Sequence, residues 1–272
     1  MTDECIHGLP IDRCDICTPK TRPAPSISAA RAPRARAPRS GGSGTATPRR
    51  IAGAASKAKP VILSEQRVHH LTHLDNLTGM LVDGVLHADA ATTWDARPEI
   101  DISSPDTREA RRAATIAGAA GTVADYVPFF LSPDANVWAG MRAGTPDPRL
   151  TRAARTLPSA EFVVLVTTFA RIAPQDLPYP IVADGDAADA RTRYATTRED
   201  AERSLRRMLA SDDGMVLRAE VLVHGAVPFE AITLIGVAHE KARATVRSIL
   251  AGSRFQPRVA VHPPWFAVPT AD

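Results

Sequence analysis

Three groups of side chains in this sequence have the types and spacing that could carry chemistry. His70 and Thr72 alternate on one face of a predicted strand, and polar groups on such a face indicate a site. Arg111 and Arg112 could neutralise a diphosphate, because arginine makes bidentate contacts with oxyanions. Glu220 opens a strand that is otherwise apolar, so its carboxylate needs a reason beyond packing.

Each of these groups also has an ordinary structural interpretation. His70 is explained as a core histidine whose hydrogen bonds are satisfied, the arginine pair as a solvated helix face, and Glu220 as a carboxylate at a strand edge. For each group taken alone, the structural interpretation is favoured. Only their occurrence together indicates a functional site.

A fourth group lies at the N-terminus, where Cys5, His7, Cys14 and Cys17 give the spacing C-x-H-x6-C-x2-C. Four such ligands are what a tetrahedral structural zinc site requires. The alternatives are a redox Cys-x-x-Cys pair or unrelated free thiols. A redox pair usually opens a helix of a thioredoxin-like domain, and no such pattern follows here. The spacing favours a closed zinc site with a structural role.

The composition limits which protein classes are possible. The chain has 272 residues, a net charge of +3 and 44% hydrophobic residues, which excludes a wholly disordered protein. Its longest apolar stretch, residues 162–170, is far shorter than the roughly 20 residues of a membrane span. The N-terminus shows no apolar signal segment. We therefore expect a soluble, cytoplasmic protein without a membrane partner.

The positive charge is concentrated at the N-terminus. Residues 1–60 contain eleven basic and four acidic side chains, a balance of +7, whereas the rest of the chain is acidic. Residues 18–60 are rich in Pro, Gly, Ser, Ala and Arg and have almost no large apolar side chain, which predicts a disordered linker. The positive charge of this segment either binds a polyanion or only keeps the segment in solution.

The remaining residues, 61–272, have the pattern of a globular α+β domain. Strands and helices alternate without a strict βαβ order, which disfavours a doubly wound sheet. The predicted strands are residues 67–72, 127–131, 162–169, 219–224 and 232–237. The predicted helices are a segment from Asp75 to Gly84 and residues 106–119, 197–209 and 239–250.

Four motifs of this domain, in order, resemble the DarT toxins, which are ADP-ribosyltransferases that use NAD to modify a base in single-stranded DNA. The resemblance runs from about Val68 to the C-terminus. The first motif is a His-x-Thr-His-x-x-Asn-Leu pattern. The matching positions are His70, Thr72, His73, Asn76 and Leu77, then Arg111 and Arg112, then residues 125–129, and finally residues 219–223.

The resemblance implies an ADP-ribosyltransferase fold, a split β-sheet with NAD in its central cleft. It also implies thymidine in single-stranded DNA as the acceptor, and a toxin controlled by a macrodomain-type antitoxin. Glu220 and Arg112 are the catalytic residues that it implies. The residues that it places at NAD are His70, Leu71, Thr72, Gly79, His87 and Arg112.

The sequence departs from the family pattern at several positions. His87 replaces a residue that is usually apolar, and Phe130 stands where relatives often have Tyr. An Arg that relatives often carry after the proline at position 133 is missing. Residues 184–217 match weakly, and by family position they would help to hold DNA. The sequence therefore leaves open which base is modified and which flanking sequence is preferred.

The implied chemistry suits these residues. Breaking the bond between nicotinamide and ribose develops oxocarbenium character at C1′, and a carboxylate that binds the ribose 2′-hydroxyl stabilises it. Glu220 suits that task and the removal of the acceptor's ring proton. Arg112 stays protonated, so its role is charge stabilisation. The alternatives are a non-catalytic, zinc-containing nucleic-acid-binding protein on a degenerate transferase fold, an enzyme that modifies RNA, and an enzyme that hydrolyses NAD.

Overall fold

The computed structural model describes residues 62–269, except residues 96, 174–177 and 212–213, and these residues fold around one large β-sheet. The N-terminal zinc motif and the predicted linker lie outside the described residues. The strands are β1 (Arg67–His73), β2 (Val85–His87), β3 (Tyr126–Phe130), β4 (Phe162–Thr168), β5 (Ile181–Ala183), β6 (Tyr194–Ala195), β7 (Glu220–His224), β8 (Ala226–Pro228), β9 (Leu234–Val237) and β10 (Arg258–Val261). The helices are α1 (Asn76–Asp83), α2 (Pro105–Ala113), α3 (Asn136–Ala143), α4 (Arg152–Thr156), α5 (Phe169–Ile172), α6 (Arg198–Ala210) and α7 (Glu240–Ala251).

The large sheet consists of two halves that barely touch. Its strand order is β10-β9-β4-β1-β3-β7-β5-β6, and β2 pairs with β8 in a small separate sheet. β1 pairs with β4 along its whole length, but with β3 only at His69 and Phe130. Beyond this pair the two central strands diverge. The α+β class is therefore confirmed, and the division of the sheet opens a cleft at its centre.

The strands form where the sequence carries β-branched and apolar residues. β4 is the most buried of the long strands, because its run from Phe162 to Thr167 packs on both faces of the sheet. α6 and α7 cover the sheet with residues spaced three or four apart, which places them on one helix face. These residues are Ala201, Leu205 and Met208 in α6, and Ala242, Val246 and Leu250 in α7.

Most of the predicted long elements are confirmed with small shifts of their ends, but one predicted helix is too long. The helix expected over residues 106–119 ends at Ala113. After it, Thr115 pairs with Thr122 across a turn in which Gly118 and Gly121 have φ values of +82° and +72°. Helical backbone excludes such positive φ values, so the chain turns back instead. No described helix has the length and apolarity needed to cross a membrane.

The segment between the fourth and fifth predicted strands, residues 225–231, contains a strand that was not predicted. The chain forms β8 directly after Gly225, whose φ is +74°, and β8 leaves the large sheet to pair with β2. β7 and β9 therefore lie in different halves of the large sheet.

Candidate active site

The cleft between the two halves of the sheet is a cavity of about 640 Å³. This volume is in the range of pockets that bind small molecules and cofactors. β1 contributes His70, Leu71 and Thr72 to its wall, and the first residue of β7 contributes Glu220. Side chains from α1, α2 and the loops around residues 89–103, 149–150 and 184–192 complete it. Residues that are far apart in sequence thus face one space.

Glu220 is buried at the cleft with both carboxylate oxygens bound. Its side chain is 8% exposed. Oε2 accepts a hydrogen bond from Arg111 Nη1 at 3.1 Å, and Oε1 accepts one from the backbone N–H of Ala187 at 3.2 Å. Two donors from different elements therefore fix the direction of this carboxylate.

Ala187 is itself held in place from the other side. The hydroxyl of Tyr194 donates to the Ala187 carbonyl. Burial, and to a lesser degree the charge of Glu220, raises the pKa of Tyr194, so its hydroxyl stays protonated and remains a donor. The Ala187 peptide is thus fixed between a tyrosine and the carboxylate that it serves.

The two adjacent arginines point in different directions, and Arg111, not the Arg112 that was expected to contact NAD, lines the cleft. Arg111 is 13% exposed, lines the cleft and reaches Glu220, and its Nη2 is buried without a hydrogen-bond partner among the described residues. Arg112 is 44% exposed and binds Asp89 at 2.8 Å, beside a shallow hollow outside the cleft. Successive residues of a helix are about 100° apart, so α2 brings only one of the pair to Glu220.

A third arginine of α2, which the sequence analysis missed, also lines the cleft. Arg108 lies one turn before Arg111, and its guanidinium binds both Asp89 and Asp101. The spacing of three residues along a helix was the available signal. Arg108 and Arg111 bring two guanidinium groups to this wall of the cleft, and each is paired with carboxylates that also line it.

His70 presents a neutral imidazole to the cleft. Its Nδ1 lies 2.9 Å from the carbonyl oxygen of Pro128, which can only accept, so the proton is on Nδ1 and Nε2 is left as an acceptor. Burial lowers the pKa of His70, and the carbonyl bond opposes this more weakly. The histidine also spans the gap where β1 and β3 have stopped pairing.

Asn76 ties the floor of the cleft to one of its covering loops. Its amide nitrogen donates to Thr72 Oγ1 at 3.1 Å and to the Ile100 carbonyl at 2.9 Å. Its amide oxygen accepts from the Ile100 N–H at 3.0 Å. Asn76 was part of the recognised motif, but no role had been assigned to it. It orients Thr72 and anchors the loop at the same time.

The two remaining positions at which the resemblance implied NAD contacts are Gly79 and His87, and only one of them lines the cleft. Gly79 is half-buried within α1 and does not line the cleft. His87 lines it, with Nε2 3.3 Å from Asp83 Oδ2 and its ring centroid 4.9 Å from that of Trp94. His87 therefore gives this wall a polar, aromatic side chain at a position that the family pattern usually fills with an apolar residue.

An ion-pair bridge spans the opposite side of the cleft. Arg149 binds Asp147 at 2.7 Å and Asp186 at 2.9 Å, and the hydrogen bonds to Asp147 do most to raise its pKa. The bridge joins the loop around residue 149 to the segment 184–192. Ala187 belongs to that segment, so the bridge also supports the N–H group that binds Glu220.

The proposed zinc ligands Cys5, His7, Cys14 and Cys17 lie outside the described residues. Within residues 62–269, where these are described, His, Cys, Asp and Glu form no cluster that could hold a metal ion.

Comparison with known sequences identifies relatives of this cleft-bearing domain. The profile of the family described as ssDNA thymidine ADP-ribosyltransferase, DarT, matches residues 69–267. Two curated proteins, both named DNA ADP-ribosyl transferase, come from Mycobacterium bovis (strain BCG / Pasteur 1173P2) and Mycobacterium tuberculosis (strain ATCC 25618 / H37Rv). Each is 26% identical over 198 residues, which is 67% of this chain and 81% of the relative.

Solved structures share the fold. DarT of Thermus sp. 2.9 in complex with ADP-ribosylated ssDNA has a TM-score of 0.61 at 22% identity, over 74% of this chain and 96% of that one. The same protein in complex with NAD+ has a TM-score of 0.58 at 23% identity, over 74% and 98%. Thermosipho africanus DarTG in complex with ADP-ribose has a TM-score of 0.55 at 15% identity, over 74% and 51%. Because the family profile matches most of the sequence, the chain belongs to the DarT family of DNA ADP-ribosyltransferases.

Proposed function

We propose that this chain transfers ADP-ribose from NAD to thymidine in single-stranded DNA, in the cytoplasm, as the toxin of a toxin–antitoxin pair. The observation that carries the proposal is Glu220, buried in the cleft and oriented by Arg111 and the Ala187 N–H. The Thermus complexes with NAD+ and with ADP-ribosylated ssDNA support it, because those proteins share this fold.

In the proposed reaction Glu220 acts at the ribose next to nicotinamide. Its carboxylate accepts a hydrogen bond from the 2′-hydroxyl and stabilises the positive charge that develops at C1′ as the C1′–nitrogen bond breaks. Nicotinamide leaves as a neutral molecule with the bonding electrons. The ring nitrogen of the acceptor base forms the new bond to C1′, and its proton passes to Glu220.

Arg111 takes the role that the resemblance gave to Arg112. Its Nη1 holds Glu220, and its buried Nη2 is a free donor for a ribose or phosphate oxygen. Arg108, on the same helix face, would bind the diphosphate by exchanging its contact with Asp89 or Asp101 for a phosphate oxygen. His70 Nε2, as a neutral acceptor, suits a ribose hydroxyl, and Thr72 and Leu71 line the space beside it.

A single-stranded acceptor is consistent with this chemistry. The ring N–H of thymine takes part in base pairing and is exposed only when the base is unpaired. The segment 184–192 lies beside Glu220 and carries Arg191, which lines the cleft. We propose that this side of the cleft receives the DNA.

A transfer assay tests the proposed function. The full chain is incubated with NAD labelled in the adenylate and with single-stranded oligonucleotides that contain either thymidine or guanosine as the only candidate base, with a matched RNA, and with no nucleic acid. Label transfer to the thymidine DNA alone is expected. Transfer only to RNA, or release of nicotinamide without an acceptor, would assign the chain to one of the alternative enzyme classes. No reaction in any arm would support a non-catalytic binding protein.

The toxin role and its partner have their own test. We propose that a macrodomain-type antitoxin, a fold suited to binding ADP-ribose, removes the modification. Expression of the full chain in bacteria is expected to stop growth, and co-expression with an active macrodomain hydrolase is expected to restore it. Growth that is unaffected by an active transferase would contradict the toxin role.

For the N-terminal residues we propose one structural zinc ion held by Cys5, His7, Cys14 and Cys17. Elemental analysis of the full chain is expected to give about one zinc per molecule, and the Cys14→Ser/Cys17→Ser variant none. Equal metal content in the two proteins would contradict the site.

For the basic segment 18–60 we propose a role in DNA affinity without sequence preference. Its removal is expected to weaken binding to oligonucleotides and to flatten the salt dependence of that binding, because fewer counterions are released. An unchanged affinity and salt slope would show that the segment is only a tether.

A further inference from the structure

The cleft has a polar pocket at the end that lies away from Glu220. We call Asp83, His87 and Trp94 the distal pocket; all three line the cleft. Glu220 starts β7, whereas His87 pairs with Ala226 of β8, beyond the other end of that strand. Four residue steps of a strand correspond to about 13 Å. The distal pocket therefore lies near the end of β7 that is opposite to Glu220, about one strand length from that carboxylate.

Two polar atoms of the distal pocket are buried without a hydrogen-bond partner. The Asp83 side chain is 3% exposed, and its Oδ2 lies 3.3 Å from His87 Nε2. Oδ1 of the same carboxylate and Nε1 of Trp94 have no partner among the described residues. Leaving a buried polar group unsatisfied costs about 1–3 kcal/mol. The pocket thus holds an unused acceptor and an unused donor, each on a residue that contacts His87.

The surroundings hold these two atoms in place. The His87 and Trp94 rings are 4.9 Å apart at an angle of 40°, and the Arg97 guanidinium lies 5.4 Å from the Trp94 ring centroid. His87 pairs β2 with β8, so its backbone is fixed. Asp83 ends α1 just before Gly84, whose φ of +71° closes the helix. The acceptor is therefore carried by the end of α1, and the donor by a loop residue whose ring packs against His87.

We propose that the distal pocket recognises the adenine of NAD through the polar edge of the ring. The exocyclic amine would donate to Asp83 Oδ1, and a ring nitrogen would accept from Trp94 Nε1. The proposal rests on the proposed function, because Glu220 marks the position of C1′ beside nicotinamide. Adenine is attached through two riboses and a diphosphate, so it is the part of NAD that lies furthest from that carbon.

The pocket consequently makes Asp83 and Trp94 specificity-determining residues. In nicotinamide hypoxanthine dinucleotide a carbonyl oxygen replaces the exocyclic amine. This oxygen would face the Asp83 carboxylate, so two acceptors would meet and neither would be satisfied. We expect the full chain to prefer NAD over this analogue by about 10²-fold in kcat/KM. The preference is expected in KM, since the contact is far from the reacting bond.

Substitutions of the pocket test this preference directly. Asp83→Asn keeps the shape but offers an amide that can donate to the hypoxanthine carbonyl, so the preference is expected to fall below about 10-fold. Trp94→Phe keeps an aromatic ring without the N–H, and KM for NAD is expected to rise about 10-fold with kcat unchanged. Glu65→Gln removes an exposed carboxylate outside the cleft and is the charge-matched control, with wild-type preference expected. Melting temperatures confirm that the variants are folded.

Calorimetric binding of ADP-ribose and of its hypoxanthine counterpart to the full chain gives the same comparison without turnover. If ADP-ribose binds more tightly but no DNA is modified, the distal pocket stands and the proposed function fails. If DNA is modified with equal efficiency from both dinucleotides, the proposed function stands and the distal pocket is wrong. A wild-type preference retained by Asp83→Asn would also overturn the proposal.

Discussion

Arg111 and Glu220, which are 109 residues apart in sequence, form a buried ion pair at 3.1 Å in the central cleft. One partner comes from a helix and the other from a strand, so the pair depends on the complete fold. The second carboxylate oxygen binds the Ala187 N–H, and the second Arg111 nitrogen is left without a partner among the described residues. The pair therefore positions a carboxylate and also presents a donor.

The two adjacent arginines provide a matched pair of variants. Arg111→Ala leaves Glu220 without its charged partner and is expected to lower transfer to DNA by at least 10²-fold. Arg112→Ala removes only partly exposed pairs with Asp89 and Glu109 and is expected to change transfer less than about 3-fold, because exposed ion pairs contribute about 0–1 kcal/mol. Initial rates with labelled NAD check both. A larger loss for Arg112→Ala would restore the assignment that the sequence favoured.

Glu220→Gln tests the chemical role of the carboxylate. The amide keeps its shape and can still accept from the Ala187 N–H, but it cannot take a proton or carry a negative charge. Turnover is expected to fall by about 10²–10³-fold, and further if Glu220 is also the base. NAD affinity by calorimetry and the melting temperature are expected to stay near those of the wild type. Wild-type turnover by folded Glu220→Gln would contradict the proposed mechanism.

Asn76→Ala tests the connection between the floor of the cleft and its covering loop. The change removes three hydrogen bonds and leaves the Ile100 backbone groups unpaired, so the free energy of unfolding is expected to fall by about 2–3 kcal/mol. KM for NAD is expected to rise, because the loop forms part of the wall. Urea unfolding and initial rates measure the two effects. Thr78→Ala, on an exposed position of the same helix, is the control.

The stability of the domain is expected to fall as the pH is lowered below 6.5. Burial lowers the pKa of His69 from 6.5 to about 4, with smaller opposing effects from Phe130 and Asp134. Between these values the unfolded chain binds a proton that folded His69 does not bind, so the unfolded state is favoured as the pH falls. The slope is up to about 1.4 kcal/mol per pH unit for this group, and it ends below about pH 4.

Urea unfolding at several pH values measures this dependence. His69→Gln is expected to show a shallower loss of stability between pH 6.5 and 4 than the wild type. The change also removes the edge contact with Trp265 at 5.8 Å, so the slope and not the absolute stability is compared. His224→Gln, at an exposed position, is the control. Identical slopes for His69→Gln and wild type would show that His69 does not carry the effect.

The long elements were predictable from sequence because their signals are local. β4 follows a run of β-branched residues, and α1 ends at Gly84 as its sequence indicated. Strands of two or three residues, such as β2, β6 and β8, carry no periodicity of their own. They exist because a partner strand pairs with them, and for β2 and β8 that partner is far away in sequence. Local patterns contain no information about such partners.

The candidate site was predictable in part for the same reason. His70 and Glu220 stood out because their types conflict with an apolar strand. The choice between Arg111 and Arg112 depends on how α2 is rotated about its axis, and this is set by the Ser104 cap and by contacts with Asp89. Asp83 and Trp94 showed no pattern in the sequence. Their unpaired atoms become visible only once burial is known.

The bridge between Arg149 and Asp186 connects a salt-sensitive ion pair to the Glu220 carboxylate. Both partners are partly exposed, and the Debye length falls from about 10 Å at 0.1 M to 3 Å at 1 M ionic strength, so the bridge weakens as salt is added. Asp186 precedes Ala187, whose N–H orients Glu220. We therefore expect ionic strength to act on turnover through the alignment of one peptide group, in addition to its effect on the polyanion. Assays performed at different salt concentrations are then expected to compare proteins whose Glu220 carboxylates are not equally well aligned.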